Sequence, residues 1–235
     1  MIILKDIPFG LDFEVLKEKL HIKPNSGYKQ CLENIIQAAV KVASPKAVFK
    51  ESYIDSKIDD NVIINNIKFT SKTLRKNLDK VERVFPYVAT CGVELDRVKI
   101  NNNDPVEQYI LESIKEIILL DCMDYLERYI CKRYGIQQTT SMNPGSSDLF
   151  VWPIEQQKEL FALFPNINKA IGVELTENCL MIPNKTISGI KFQSDTDFHN
   201  CRLCERKQCP SRTEPFDEKL LNATMKSMNI QHKEL

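Results

Sequence analysis

The sequence lacks a long apolar run at its start. Met1 to Gly10 is interrupted by Lys5, Asp6 and Pro8, which excludes a signal peptide or a membrane-spanning helix there. A cytoplasmic location is therefore expected. Net charge is missing as well, because 32 Lys and Arg cancel 32 Asp and Glu. That balance leaves no electrostatic footprint for a nucleic-acid backbone or an anionic membrane, so neither is expected as a partner. Internal repeats and low-complexity linkers are absent. So is a regular alternation of strands with helices, which argues against a doubly wound parallel sheet. What is present is an ordinary globular composition, 43% hydrophobic and 27% charged. It excludes wholesale disorder, and 235 residues suffice to bury a core as a single domain over 1–235.

Periodicity supplies the elements. Cys31, Leu32, Ile35, Ile36, Ala39 and Val40 recur at helical spacing and predict a helix from Tyr28 to Val42, stopped by Ser44-Pro45. Residues 46 to 70 are rich in Val, Ile, Phe and Tyr, with Asp59, Asp60, Asn65 and Asn66 between the runs. They read as two or three strands joined by tight turns. A short helix at Thr73 to Leu78 and a buried strand at Arg83 to Thr90 follow. Asp104 as cap, Pro105 at the first helical position and Glu107 closing a capping box start a long helix, which Gly135 ends just after Tyr134. Pro153 starts another that puts Leu160, Phe161 and Phe164 on one side before Pro165. Ile171-Gly172-Val173, Cys179 to Ile182 and Thr186 to Phe192 read as strands. The last two form a hairpin turning at Pro183-Asn184, and Phe216 to Met228 reads as a C-terminal helix. The expected fold is α+β: a mixed or antiparallel twisted sheet covered by helices, with one long central helix and a C-terminal metal-binding loop at 195–215.

Eight cysteines in a reducing compartment are not expected to form disulfides. Cys31, Cys91, Cys122, Cys131 and Cys179 are scattered singly and read as small buried hydrophobes. The other three form Cys201-Arg202-Leu203-Cys204, four residues, then Cys209-Pro210. Thiolates two residues apart in a tight turn grip one metal centre, and a third folds back onto it. The expectation is an iron–sulfur cluster on Cys201, Cys204 and Cys209, with zinc or a regulatory dithiol as alternatives. Cys179 and His199 are the candidates for a fourth ligand, unless that position is open. Arg202, Arg206, Lys207 and Arg212 crowd the loop. They are solvated surface, or they offset thiolate charge and dock an acidic electron-transfer partner.

One stretch carries a resemblance. Asn143-Pro144-Gly145-Ser146 is followed by Trp152-Pro153, Gln156-Gln157 with Leu160-Phe161, and Ile171-Gly172-Val173 with Leu175-Thr176-Glu177. Met181-Ile182-Pro183 and Lys185-Thr186-Ile187-Ser188-Gly189 complete the series. This order resembles the activation (reactivation) domain of vitamin B12-dependent methionine synthase, especially stand-alone forms with a C-terminal cysteine motif. It covers about residues 80 to 212, including Ala89-Thr90-Cys91-Gly92 and the long helix, and is weak before them. The resemblance implies docking over the cobalamin of methionine synthase or a related corrinoid protein. It also implies an electron from a flavodoxin- or ferredoxin-type donor and a methyl group from S-adenosylmethionine (AdoMet). By the same likeness Asn143, Pro144 and Gly145 build part of an AdoMet pocket, Glu177, Lys185, Ser188 and Gly189 line the cleft, and Trp152 covers a corrin face or belongs to the core. The family loop begins with an arginine and ends with a tyrosine, both ligand contacts; Ser141 and Ser146 stand in those places here.

Three readings follow. The first is reductive reactivation of a corrinoid methyltransferase, with no side-chain acid–base pair required because the cobalt does the chemistry. The second is a non-catalytic partner-binding module with structural zinc. The third is an unrelated AdoMet-dependent transferase or electron carrier.

Overall fold

The computed structural model describes residues 1–23, 27–146, 151–193, 200–208, 212 and 214–227. They form an α+β fold, an antiparallel sheet covered by helices with one long central helix, in agreement with the sequence pattern. Strand β1 (Ile2–Leu4) and helix α1 (Phe13–Lys19), neither expected from periodicity, open the chain. Asp12 caps α1 by accepting the Val15 N–H at 2.9 Å. Helix α2 (Tyr28–Val42) turns Leu32, Ile35 and Ala39 inward.

Residues 46 to 70 form four strands rather than two or three: β2 (Lys46–Phe49), β3 (Ser52–Ile58), β4 (Asn61–Ile64) and β5 (Ile67–Thr70). The extra strand is accommodated by two-residue hairpins. Asn65 and Asn66 both take positive φ (52° and 63°), the twist a tight β-hairpin needs and one that asparagine adopts more readily than most side chains. Helix α3 (Lys72–Asn77) is capped by Ser71 Oγ, which accepts the Leu74 N–H at 2.9 Å. Strand β6 (Arg83–Thr90) is buried over nearly its whole length.

The central helix α4 (Pro105–Tyr134) starts as expected. Asp104 Oδ1 accepts from the Val106 N–H at 2.8 Å and the Glu107 N–H at 3.4 Å. The capping box does not close: Glu107 instead accepts the Asn101 N–H at 2.7 Å and holds the preceding turn onto the helix. Gly135 ends it at φ 66°. Strand β7 (Thr140–Met142) follows, then a 3-10 turn at Ile154–Gln156 leads into α5 (Gln157–Ala162).

Two expectations fail beyond Pro165. Ile171-Gly172-Val173 is no strand: α6 (Ile167–Ile171) ends there, with Gly172 left-handed at φ 75° and its N–H on the Asn168 carbonyl at 2.7 Å. Nor do residues 179–192 form a hairpin. Of the expected strand Cys179–Ile182 only Met181–Ile182 is extended (β9), and it pairs antiparallel with β8 (Glu174–Leu175) rather than with the following strand, because Cys179 at φ 62° turns the chain back there. Strand β10 (Thr186–Phe192) pairs with β6 and β7. The C-terminal helix α7 (Glu218–Ser227) begins two residues later than expected, and Met228, the expected end, lies outside the described residues.

The chain comprises two compact units of three segments each. The first comprises 1–48, 88–133 and 166–187. Its strands run in the order β1, β2 and the end of β6, and Leu16, Leu32, Ile114, Ile118 and Leu126 are fully buried in it. The second comprises 49–87, 134–165 and 188–235. There β6, β3, β4 and β5 lie side by side and β10 links β6 to β7. Phe69 meets Trp152 edge-on at 6.0 Å and Phe85 meets Tyr134 at 4.7 Å. No helix among the described residues is long and apolar enough to cross a membrane.

Candidate functional site

The Asn143–Ser146 turn lies in the second unit, directly after β7. Its shape is set from inside. Asn143 Nδ2 donates to Tyr87 Oη and to the Ser188 carbonyl, both at 2.7 Å. Ser188 Oγ in turn donates to Gln157 Oε1 at 2.6 Å. Tyr87, Gln157 and Ser188 are buried, so these bonds are made where water does not compete. The turn closes on itself through Ser146 Oγ to the Asn143 carbonyl at 2.8 Å, and through the Gly145 N–H to the Trp152 carbonyl at 2.9 Å.

Two glycines are obligatory. Gly145 sits at φ 75°, and a Cβ there would meet the Ile154 side chain at 2.9 Å. A Cβ on Gly189 would lie 2.4 Å from the Met142 carbonyl oxygen, because the chain leaving β7 passes directly against Gly189 where the antiparallel pairing with β10 ends. Thus Asn143, Pro144, Gly145, Ser188 and Gly189 are brought together, and Gly145 is their exposed point. Sequence reasoning missed Tyr87 and Gln157, which look like ordinary core and helix residues. Lys191, buried with its ammonium 5.5 Å from the Tyr87 ring centroid, was signalled only by a cation inside an apolar strand. Trp152 is fully buried and donates to Gln156 Oε1 at 3.0 Å, so it is core and covers no ligand.

Glu177 and Lys185 belong to the first unit. Glu177 is exposed in the turn between β8 and β9. Lys185 stands 3.9 Å from Glu112, on the rim of an ion cluster that sequence reasoning did not find. At its centre the buried Lys115 bonds Asp96 at 2.8 Å and Glu112 at 3.1 Å, while Asn184 donates to Glu112 at 2.8 Å. Burial pulls the Lys115 pKa down, but hydrogen bonds to Asp96 and Glu112 outweigh it and leave it raised. Burial likewise pushes Glu112 up; bonds from Asn184 and Lys115 outweigh that and hold it below the usual carboxylate range. Cys91 and Cys122, also in this unit, are fully buried, and burial pushes both thiols up to about 12. These two and Cys179 are buried, as expected of scattered cysteines, whereas Cys31 and Cys131 are half-buried on helix surfaces and depart from that expectation.

In the cysteine loop, Cys201 and Cys204 sit on and just after a 3-10 turn (Asn200–Leu203), with Leu203 buried beneath. Arg212 is not solvated surface. Its guanidinium donates to the carbonyls of Cys201, Cys204, Arg206 and Glu214 at 2.9, 3.0, 2.6 and 3.3 Å, using its fork of donors to clamp the loop. Arg202 is paired with Asp217 at 2.7 Å, the residue that opens α7. Cys209 and His199 lie outside the described residues. Among the described residues no group of three His, Cys, Asp or Glu is placed to hold a metal ion. Cys179 is buried in the first unit.

No family model and no curated protein matches the sequence. Among solved structures, the crystal structure of the MetH reactivation domain bound to AdoHcy superposes with a TM-score of 0.54 at 14% identity, over 85% of this chain and 81% of that one. At this identity the likeness is one of fold.

Proposed function

We propose that this chain reactivates the cobalamin of methionine synthase or a related corrinoid methyltransferase, using the Asn143–Ser146 turn to receive an S-adenosyl ligand. One observation carries the reading: the fold of a domain solved with AdoHcy is matched over most of the chain, with an inwardly braced Pro-Gly turn in it. The corrin cobalt on the partner supplies the chemistry, taking an electron from a flavodoxin- or ferredoxin-type donor and a methyl group from AdoMet. This chain binds and orients. Its side chains at the turn are directed inward, so the ligand is met by main chain around Gly145. Ser146 is folded back onto Asn143, so this chain makes fewer side-chain contacts than a loop ending in tyrosine. Glu177 and Lys185 are assigned to the ligand side by analogy. Cys201 and Cys204 are assigned, with Cys209, to an iron–sulfur centre.

Calorimetry with AdoMet and AdoHcy tests the ligand, with and without a cobalamin protein in its oxidised resting state. Saturable heat that disappears in Gly145→Val is expected, and no heat at millimolar ligand removes AdoMet from the account. Anaerobic purification tests the cysteines. Brown protein bleached by dithionite is expected; stoichiometric zinc without iron would leave a docking module with a structural metal. The function fails if the chain, a reductant and AdoMet do not return methylcobalamin on the partner above a control lacking the chain.

A further inference from the structure

Strand β6 carries apolar side chains into the core of the second unit: Val84, Phe85, Val88 and Ala89 are all fully buried or nearly so. Tyr87, equally buried, brings a hydroxyl among them. Phenylalanine would fill the same volume with no polar atom to satisfy, and a buried polar atom without a partner is destabilising. The hydroxyl has one hydrogen-bond partner among the described residues, the Asn143 amide at 2.7 Å.

That amide is caged. Its Nδ2 carries two hydrogens and both are committed, one to Tyr87 on β6 and the other to the Ser188 carbonyl on β10. It occupies the space left by the missing side chain of Gly189, where an added Cβ would lie 2.5 Å from Nδ2. The two anchors are themselves held. The Lys191 ammonium lies 5.5 Å from the Tyr87 ring centroid, and Ser188 Oγ is tied to Gln157 of α5 at 2.6 Å. Two bonds from one planar amide to two paired strands fix the side-chain torsions of Asn143, and Pro144 and Gly145 follow it directly in the chain. Main-chain hydrogen bonds weaken steeply with distance and angle, so a turn free to shift loses contacts that its backbone makes.

We infer that Tyr87 is a positioning residue for the S-adenosyl ligand: its hydroxyl acts through the Asn143 amide to set the turn, without touching the ligand. The inference rests on the reading that the Asn143–Ser146 turn receives that ligand. The test is AdoHcy titrated calorimetrically into the full chain. Tyr87→Phe keeps the ring and is expected to weaken AdoHcy binding at least tenfold. Asn143→Ala is expected to weaken it as much or more, and the double variant no further than Asn143→Ala alone. Val84→Ala, a core truncation opposite Ser52 of β3, controls for lost stability and is expected to bind within twofold of wild type. Tyr87→Phe that binds within twofold of wild type overturns the inference, as does a double variant in which the two losses multiply. An equal loss in Val84→Ala attributes the effect to stability and overturns it too. Should Tyr87→Phe not fold by circular dichroism, Asn143→Ala decides alone, and binding within twofold of wild type overturns the inference. If wild type binds no AdoHcy up to millimolar concentration, the reading of the turn fails and takes the inference with it; the other adverse outcomes leave that reading standing.

Discussion

Gly189 shows how one missing Cβ sets the position of a turn forty-odd residues away in the chain. A methyl group there has to displace a backbone carbonyl, so Gly189→Ala is expected to cost about 1–3 kcal/mol in chemical denaturation. Gly10→Ala, where nothing lies within 4 Å, should stay within about 0.5 kcal/mol. The cysteines divide in the same local way. Cys91 and Cys122, fully buried and held protonated to about 12, should resist iodoacetamide at pH 8 until the protein unfolds. Cys201 and Cys204 are part-exposed and should be labelled in the native state of metal-free protein, faster in Arg212→Lys, which loses the multi-carbonyl clamp, and protected once a metal centre is bound. Mass spectrometry of labelled peptides distinguishes the two classes. Native labelling of Cys91 would contradict its burial.

Helix α4 is the element on which most depends. Removing its cap by Asp104→Ala should cost about 0.5–2 kcal/mol, read from the urea midpoint. Its ion cluster makes stability depend on pH in a defined sense. The lowered Glu112 pKa gives stability that is present above the unfolded carboxylate value of about 4.3 and is lost as pH falls through the folded value. The raised Lys115 pKa gives stability that is present below about 10.4 and is lost as pH rises through the folded value. Glu112→Gln should therefore flatten the acid limb below about pH 5 and leave neutral behaviour less changed. An unchanged acid limb would remove Glu112 from the account. Helices α2 and α4 and strands β6 and β10 were legible in the sequence because each is long, periodic or continuously apolar, with its stop signal in place. The misreadings fall where a single residue's φ decides. Gly172 and Cys179, both left-handed, turn apolar triplets into a helix end and a tight return, which side-chain pattern does not report. Strand β7, Thr-Ser-Met, has no alternation to read and exists because β10 pairs with it. The Asn143 turn was legible as a motif. Tyr87 and Gln157 were not, since nothing in their local sequence separates a tyrosine that anchors an amide from one that merely fills the core.

At the scale of the molecule, each compact unit is assembled from three separated stretches of chain. Cutting after residue 87 leaves neither core complete: the first part holds β3, β4 and β5 without Trp152, which packs on Phe69, and the second holds α4 without α2. Fragments 1–87 and 88–235 made separately are each expected to lack a cooperative thermal transition by circular dichroism. A sharp transition in either would show that a unit needs fewer segments than it contains. The same interleaving governs the Asn143 turn, whose side-chain amide is anchored to a tyrosine hydroxyl 56 residues away and a main-chain carbonyl 45 residues away along the sequence. Its four residues therefore carry no shape of their own. Grafted into another scaffold they would become an ordinary loop, because the strands and side chains that brace them stay behind.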